Sequence, residues 1–208
     1  MDLIFDIGAN IGATLEVFEK KSKKVVAFEA NSKLCNILRT KFKNPNVIID
    51  CRGLSNKNEI KKFKIANVNT ISTFSDDWVY NSRFSSDYSW NNTIDVETIT
   101  LDSAIEQYGI PNYIKIDVEG YEYEVLTSFN KLLSDTVVCF EWAEEQKSKI
   151  EMILEHVKNL GYEKFSYTEG DKVLFDEEIN WNPFENFEFL VNLNPEKKEK
   201  WGMVYFKK

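Results

Sequence analysis

Carboxylates and glycines gather at three places where an apolar run ends. The first is Leu3-Ile4-Phe5-Asp6-Ile7-Gly8-Ala9-Asn10-Ile11-Gly12, an apolar run that holds an acid and passes into a turn with glycine, asparagine and glycine at alternate positions. Such a turn lets backbone N–H groups approach a ligand that side chains would block. Asparagine tolerates left-handed backbone better than other non-glycine residues, so Asn10 suits the middle position. The second is Glu29, which closes the run Val25-Val26-Ala27-Phe28 and follows Asp6 by 23 residues. An acid at that place accepts both ribose hydroxyls of an adenosine-bearing cofactor. The third is Tyr113-Ile114-Lys115-Ile116-Asp117-Val118-Glu119-Gly120-Tyr121-Glu122. A lysine inside an apolar strand is costly unless paired, so Lys115 is expected to meet Asp6 or Asp117. Asp117 and Glu119 leave the strand end together, and Gly120 lets the backbone turn into a helix. A carboxylate pair suits general-base chemistry; its other use, as oxygen ligands for a hard cation, is the lesser reading, and no metal is assigned.

Repeated β-α units must position these residues. Strands are expected at Leu3–Asp6, Val25–Glu29, Val47–Ile49, Glu59–Ile65, Ile94–Leu101, Tyr113–Asp117 and Thr136–Glu141, from continuous or alternating apolar runs. Helices are expected over Ala13–Lys21, from Asn31 or Ser32 to about Phe42, Ser103–Tyr108, Tyr121–Phe129 and Ser148–Leu160. Four strands are expected in the tail, at Lys164–Thr168, Lys172–Phe175, Phe187–Leu193 and Met203–Phe206. The pattern predicts an α/β fold of three Rossmann-like layers, with a mostly parallel sheet of about seven strands and a C-terminal antiparallel part. Its ligand belongs at the C-terminal strand ends, near the reversal of strand order. Asp6, Glu29, Asp50, Asp117 and Glu141 all fall at or near those ends.

Composition narrows the function classes. The 208 residues are read as one domain, with a polar, aromatic stretch over about 66–93 inserted in it. A net charge of −8 argues against a broad nucleic-acid surface. No apolar run has the length of a membrane span, and the N-terminus lacks the pattern of a signal peptide. Cys35, Cys51 and Cys139 are isolated, so they are read as small hydrophobes in a reducing, cytoplasmic setting. The single histidine, His156, lies in a helical pattern, which leaves a carboxylate, lysine or tyrosine to act as base.

The motifs F-D-I-G-A-N-I-G, V-V-A-F-E-A-N, T-I-T-L-D and Y-I-K-I-D-V-E-G-Y-E occur in an order and spacing that resembles the FkbM-type methyltransferase family. Ile71-Ser72-Thr73-Phe74 is similar to that family's short serine-containing motif, and the likeness covers roughly residues 3 to 142. The resemblance implies a class I fold that binds S-adenosylmethionine and methylates hydroxyls, chiefly of sugars, glycolipids or polyketide-like products. It places Asp6, Gly8, Asn10 and Gly12 in the methionine-side loop, and Glu29, with Ala30 beside it, at the ribose. Cys51, Gly53 and Leu54 match the loop that borders the adenine. Asp117 and Glu119 match the acids between cofactor and acceptor, with Lys115 holding one carboxylate in place. Ser72, Trp78, Glu122 and Glu141 are the residues expected to orient the acceptor.

The stretch Asn67–Asn92 spends Trp78, Tyr80, Phe84, Tyr88 and Trp90 on a polar loop. It is read either as an acceptor lid, with rings stacking on sugar faces, or as a loop pinned to the core. The first strand begins near Leu3, so the cofactor pocket is expected either to be open on that side or to be closed by that loop, a partner or a second subunit; a homodimer is one such arrangement. Two rival readings are an NAD-dependent oxidoreductase and a non-catalytic binding module on the same fold. Against the first stands the glycine spacing, which is not that of a dinucleotide fingerprint.

Overall fold

Residues 1–185, 190 and 192–208 are described by the computed structural model. In chain order, β1 (Ile4–Ile7), α1 (Ala13–Lys21), β2 (Val25–Phe28), α2 (Ser32–Lys41) and β3 (Val47–Asp50) form the first β-α units. β4 (Gly53–Leu54), β5 (Glu59–Ile65), α3 (Asp76–Asn81) and β6 (Asn92–Ile99) follow. Next come α4 (Leu101–Tyr108), β7 (Tyr113–Ile116), α5 (Glu122–Leu126) and β8 (Val137–Ala143). The chain closes with α6 (Lys147–Asn159), β9 (Lys164–Glu169), β10 (Asn182–Pro183) and β11 (Trp201–Lys207).

Eight of these strands make one sheet, ordered β10-β9-β11-β8-β7-β1-β2-β3. From β3 to β8 the neighbours are parallel, whereas β11, β9 and β10 join antiparallel. β1, β2 and β7 are buried at every position, as central strands covered on both faces must be. Side chains alternate between those faces. Phe5, Ile7, Val26 and Phe28 pack in one core with residues of α4, α5 and α6. Ile4, Val25 and Ala27 pack in the other, against Leu15 and Phe18 of α1 and Leu38 of α2. The chain steps outward from β1 to β3 and returns to place β7 on the other side of β1. Strand order reverses between β1 and β7, and their C-terminal ends frame the crevice where α/β proteins bind ligands.

Most boundaries follow local chemistry. Asn31 caps α2 by accepting the Lys33 N–H at 3.1 Å. α5 is shorter than the pattern predicts because the hydroxyls of Thr127 and Ser128 bond back to the Tyr123 and Val125 carbonyls. The strand expected over 172–175 is a loop: its backbone is held by tyrosine hydroxyls, Tyr113 donating to the Leu174 carbonyl and Tyr205 accepting the Leu174 N–H and donating to the Lys172 carbonyl. The strand expected over 187–193 lies largely outside the described residues. Glu59–Ile65 and Asn92–Ile99 leave the main sheet and build a small one, β4-β6-β5. Among the described residues no helix is long and apolar enough to cross a membrane.

The cysteine reading is corrected in one respect. Cys35 of α2 and Cys51, just past β3, form a disulfide with their Cα atoms 5.8 Å apart; only Cys139 is free, and it is buried. The α2–β3 turn brings together two cysteines whose spacing matches no disulfide or metal motif. A disulfide persists in oxidising surroundings, so these cysteines no longer support a reducing compartment.

Candidate active site

The β1–α1 turn takes the backbone its residues allow. Gly8, Asn10 and Gly12 all have positive φ, at 81°, 49° and 82°. A Cβ on Gly8 would collide with the backbone carbonyl of Asp117, so glycine lets this turn close onto the end of β7. Gly12 serves packing instead, since a Cβ there would strike Leu38 and Phe42. Glu29 ties the turn to the end of β2. Its carboxylate accepts the Asn10 N–H at 2.8 Å and the Asn31 N–H at 2.7 Å. Burial raises the Glu29 carboxyl from 4.5 to about 7, against the pull of the Asn31 and Asn10 N–H groups.

Lys115 meets both of its expected partners. It is 4% exposed, with Nζ 3.0 Å from Asp117 Oδ2, 3.7 Å from Asp6 Oδ1 and 3.4 Å from the Gly8 carbonyl. Burial alone would lower its ammonium, but the flanking carboxylates of Asp117 and Asp6 outweigh it and hold the charge. Asp6 is fully buried; burial raises its carboxyl while Lys115 opposes the shift.

Beyond β7 the backbone is held in an uncommon conformation. Glu119 has φ 55°, which a non-glycine residue adopts at a cost, and Thr73 Oγ1 donates to its carbonyl at 2.7 Å. Oxygens of Asp117, Glu119 and Glu141 lie within 4.8 Å of one another. The Glu119 and Glu141 carboxyls are both raised well above the ordinary value, first by burial and then by the neighbouring acids, beginning with Asp117. Asp50, the remaining acid of the sheet edge, is instead bound by Arg52 at 2.6 Å and the Tyr108 hydroxyl at 2.9 Å.

Two cavities open at this edge. The first, about 270 Å³, is walled by Gly8, Asn10, Glu29, Ala30, Gly53, Leu54, Ser72, Asp117 and Glu119 among others. The second, about 360 Å³, is walled by Trp78, Phe84, Tyr88 and Glu141 among others. They share Thr70, Glu119 and Trp201. Of the residues that the resemblance assigns to the site, Asp6, Gly12, Lys115, Cys51 and Glu122 are outside both walls. Asp6 and Lys115 stand behind Asp117, Cys51 is in the disulfide, and Glu122 is buried and accepts the Val118 N–H at 2.8 Å. The loop of Asn67–Asn92 does two jobs. Trp90 pins it by donating to the Ile71 carbonyl at 2.8 Å, while Trp78, Phe84 and Tyr88 face the second cavity. Thr70, Asp171 and Trp201 join the walls without any local motif to announce them.

The first cavity sets Gly8 and Asn10 of the turn beside the Glu29 carboxylate, a combination that fits a nucleoside. Hydroxyls donate to a carboxylate better than to a carboxylic acid, so ligand binding favours ionised Glu29. Affinity for S-adenosylhomocysteine is therefore expected to rise about tenfold from about pH 6 to about pH 8, and to lose that slope in Glu29→Gln. Without ligand the sign reverses for stability: between 4.5 and about 7 the folded state holds a proton that the unfolded chain has lost, so stability falls as pH rises through that window. Calorimetric titration and melting across the same pH series test both signs.

Comparison with known proteins agrees with this architecture. The methyltransferase FkbM domain matches residues 6–164. No curated protein matches the chain. Among solved structures, the chain resembles methyltransferase FkbM from Methylobacillus flagellatus KT, at 15% identity and a TM-score of 0.52, covering 99% of this chain and 43% of that one. It also resembles precorrin 8w decarboxylase from Methanobacterium thermoautotrophicum, at 11% identity and a TM-score of 0.50, covering 100% and 82%. The N-methyltransferase NodS from Bradyrhizobium japonicum WM9, solved with S-adenosylhomocysteine, gives 7% identity, a TM-score of 0.49 and coverage of 100% and 78%. The chain thus spans less than half the length of the Methylobacillus protein. From the span of the matched domain, the chain belongs to the FkbM methyltransferase family.

Proposed function

We propose that this protein transfers a methyl group from S-adenosylmethionine to a hydroxyl, the acceptor being a sugar or glycoconjugate. The observation that carries the reading is the meeting of two cavities at Glu119, beside the C-terminal ends of β1 and β7. When bound, S-adenosylmethionine supplies an electrophilic methyl carbon on a sulfonium. The residues of the chain do the rest. Glu29 accepts the ribose hydroxyls, Gly8 and Asn10 bring the turn's backbone against the ligand, and Gly53 and Leu54 border the base. Ser72 stands in the same wall, its hydroxyl fixed by the Ala66 N–H at 3.1 Å. Methyl transfer is an in-line displacement, so alignment of the acceptor oxygen supplies much of the rate. A sugar hydroxyl is a weak nucleophile and gains from a base that takes its proton as the new bond forms. Asp117 or Glu119 takes that proton, and Lys115 fixes the Asp117 carboxylate. The raised Glu119 carboxyl is a better proton acceptor than an ordinary carboxylate once it is ionised.

The test has two stages. At a hundred times its dissociation constant, S-adenosylhomocysteine is expected to stabilise the protein by about 2.7 kcal/mol, while NADH leaves the melting temperature unchanged. Incubation with S-adenosylmethionine and a glycan panel should then yield a product heavier by one methyl group, on oxygen. Stabilisation by NADH alone overturns the reading.

A further inference from the structure

Segments far apart in the sequence build the second cavity. Trp78, Phe84 and Tyr88 come from the loop of Asn67–Asn92, Ala143 ends β8, and Trp201 opens β11. Phe84 joins the rings of the loop, since Trp78 and Tyr88 each meet it edge-on with centroids 5.8 Å away. Where Phe84 stands relative to Ala143 and Trp201 therefore shapes the cavity.

One ion pair fixes that position. Arg83 donates to Glu145 through Nε at 3.0 Å, through Nη2 at 2.6 Å and through its backbone N–H at 3.0 Å. Its Nη2 also donates to the Lys200 carbonyl at 2.8 Å, which accepts the Glu144 N–H at 2.9 Å as well. Each member of this clamp adjoins a wall residue: Arg83 precedes Phe84, Glu145 lies just beyond Ala143, and Lys200 precedes Trp201. The Arg83 and Glu145 side chains are 17% and 6% exposed, and a sheltered fork of this kind is both strong and directional. The loop's pairs of Lys64 with Asp76 and Lys149 with Asp77 have carboxylates at least half exposed, so they hold it less. Glu145 itself is in neither cavity wall, and it reaches the site through Arg83.

We infer that Glu145 is a positioning residue for the acceptor: through Arg83 it holds Phe84, and with it Trp78 and Tyr88, in place opposite Trp201. This rests on the functional reading above, with the acceptor in the second cavity. Without the clamp only a fraction of molecules keep the loop in place. Acceptor affinity falls by that fraction, while reaction of a bound acceptor is unchanged. KM then rises and kcat holds.

Kinetics at saturating S-adenosylmethionine test this in Glu145→Leu, Arg83→Met and the double variant, with the methyl glycosides of glucose, galactose, mannose and rhamnose as acceptors. For the glycoside turned over fastest, Glu145→Leu should raise KM about tenfold and leave kcat within about twofold. The double variant should cost no more than Arg83→Met alone, because both changes break one clamp. Hydrogen exchange reads the loop without any acceptor. The Ser85, Asp87 and Tyr88 amides, bonded to the Ser82 and Phe84 carbonyls, should exchange about tenfold faster in Glu145→Leu. Affinity for S-adenosylhomocysteine should match the parent, which shows that the variant is folded. The inference is overturned, with the functional reading left standing, by an unchanged KM, unchanged exchange, or a loss of kcat in place of the KM rise. A parallel loss of S-adenosylhomocysteine affinity, or a KM rise in Arg83→Met alone, overturns it equally. Absence of methyl transfer to all four glycosides by the unaltered protein removes the sugar reading and this inference with it.

Discussion

Replacing Lys115 by methionine is expected to destabilise the fold by about 3–5 kcal/mol, measured as a lower urea midpoint with an unchanged slope. The volume is nearly kept, so the loss comes from charge. Asp6 has no exposed surface, and neither of its carboxylate oxygens has a hydrogen-bond partner; the ammonium is what balances it. Removing one member of a buried ionic group leaves the others uncompensated. Two further readings separate this from simple repacking. Asp6→Asn in the Lys115→Met background should restore much of the loss, because it removes the stranded charge. The deficit should also shrink in acid: without Lys115 the Asp6 carboxyl titrates higher still in the folded state, and an acid raised on folding loses stability as pH rises. A variant as stable as the parent at every pH would show that the ammonium does not hold this group of acids together.

Glu119→Gln and Asp117→Asn are the second pair, and here the effect is on rate. General-base catalysis contributes about 10²–10⁴-fold, so loss of the base should lower turnover by that factor. That is a barrier increase of about 3–5 kcal/mol. Both changes keep shape and remove a proton acceptor. Glu119→Gln should leave the affinity for S-adenosylhomocysteine within a few-fold, because Glu29 and the β1–α1 turn are untouched. Asp117→Asn should also weaken the hold on Lys115, so its melting temperature falls as well as its turnover. Single-turnover methyl transfer at saturating cofactor separates the two. Full turnover in both variants would mean that neither carboxylate takes the proton.

Much of this fold was legible because the central strands need no context. Val25–Phe28 and Tyr113–Ile116 are apolar runs too short for helices and buried on both faces, and the residues that break them are the ones with chemistry. Asn10 was readable for the same local reason: few other side chains accept a φ of 49°. What stayed hidden depends on contacts between distant segments. The disulfide joins residues that only the α2–β3 turn brings together. The tail loop at 172–175 is a short apolar run that reads like a strand, but two tyrosines from β7 and β11 bind its backbone first. Trp201 and Asp171 reach the first cavity because β11 and β9 pair beside β8, a register that no spacing in the sequence announces. The acids were seen as a group at the sheet edge, yet only the structure separates Asp50, bound by Arg52, from those that face the cavities.

The placement of β1 between β2 and β7 also governs the order of assembly. β1 can pair with β2 as soon as residues 25–28 exist, but its other edge waits for residues 113–116. Until then half of its backbone donors and acceptors are open, on a strand that is apolar throughout apart from Asp6. Parallel pairing between distant segments is slow, because loop closure must precede the contacts that reward it. The Gly8–Asp117 approach and the Lys115–Asp6 pair are both made in that closing step. A nascent chain therefore has a nearly complete β-α-β-α-β half and no binding site, and the crevice comes into being only when its two walls meet.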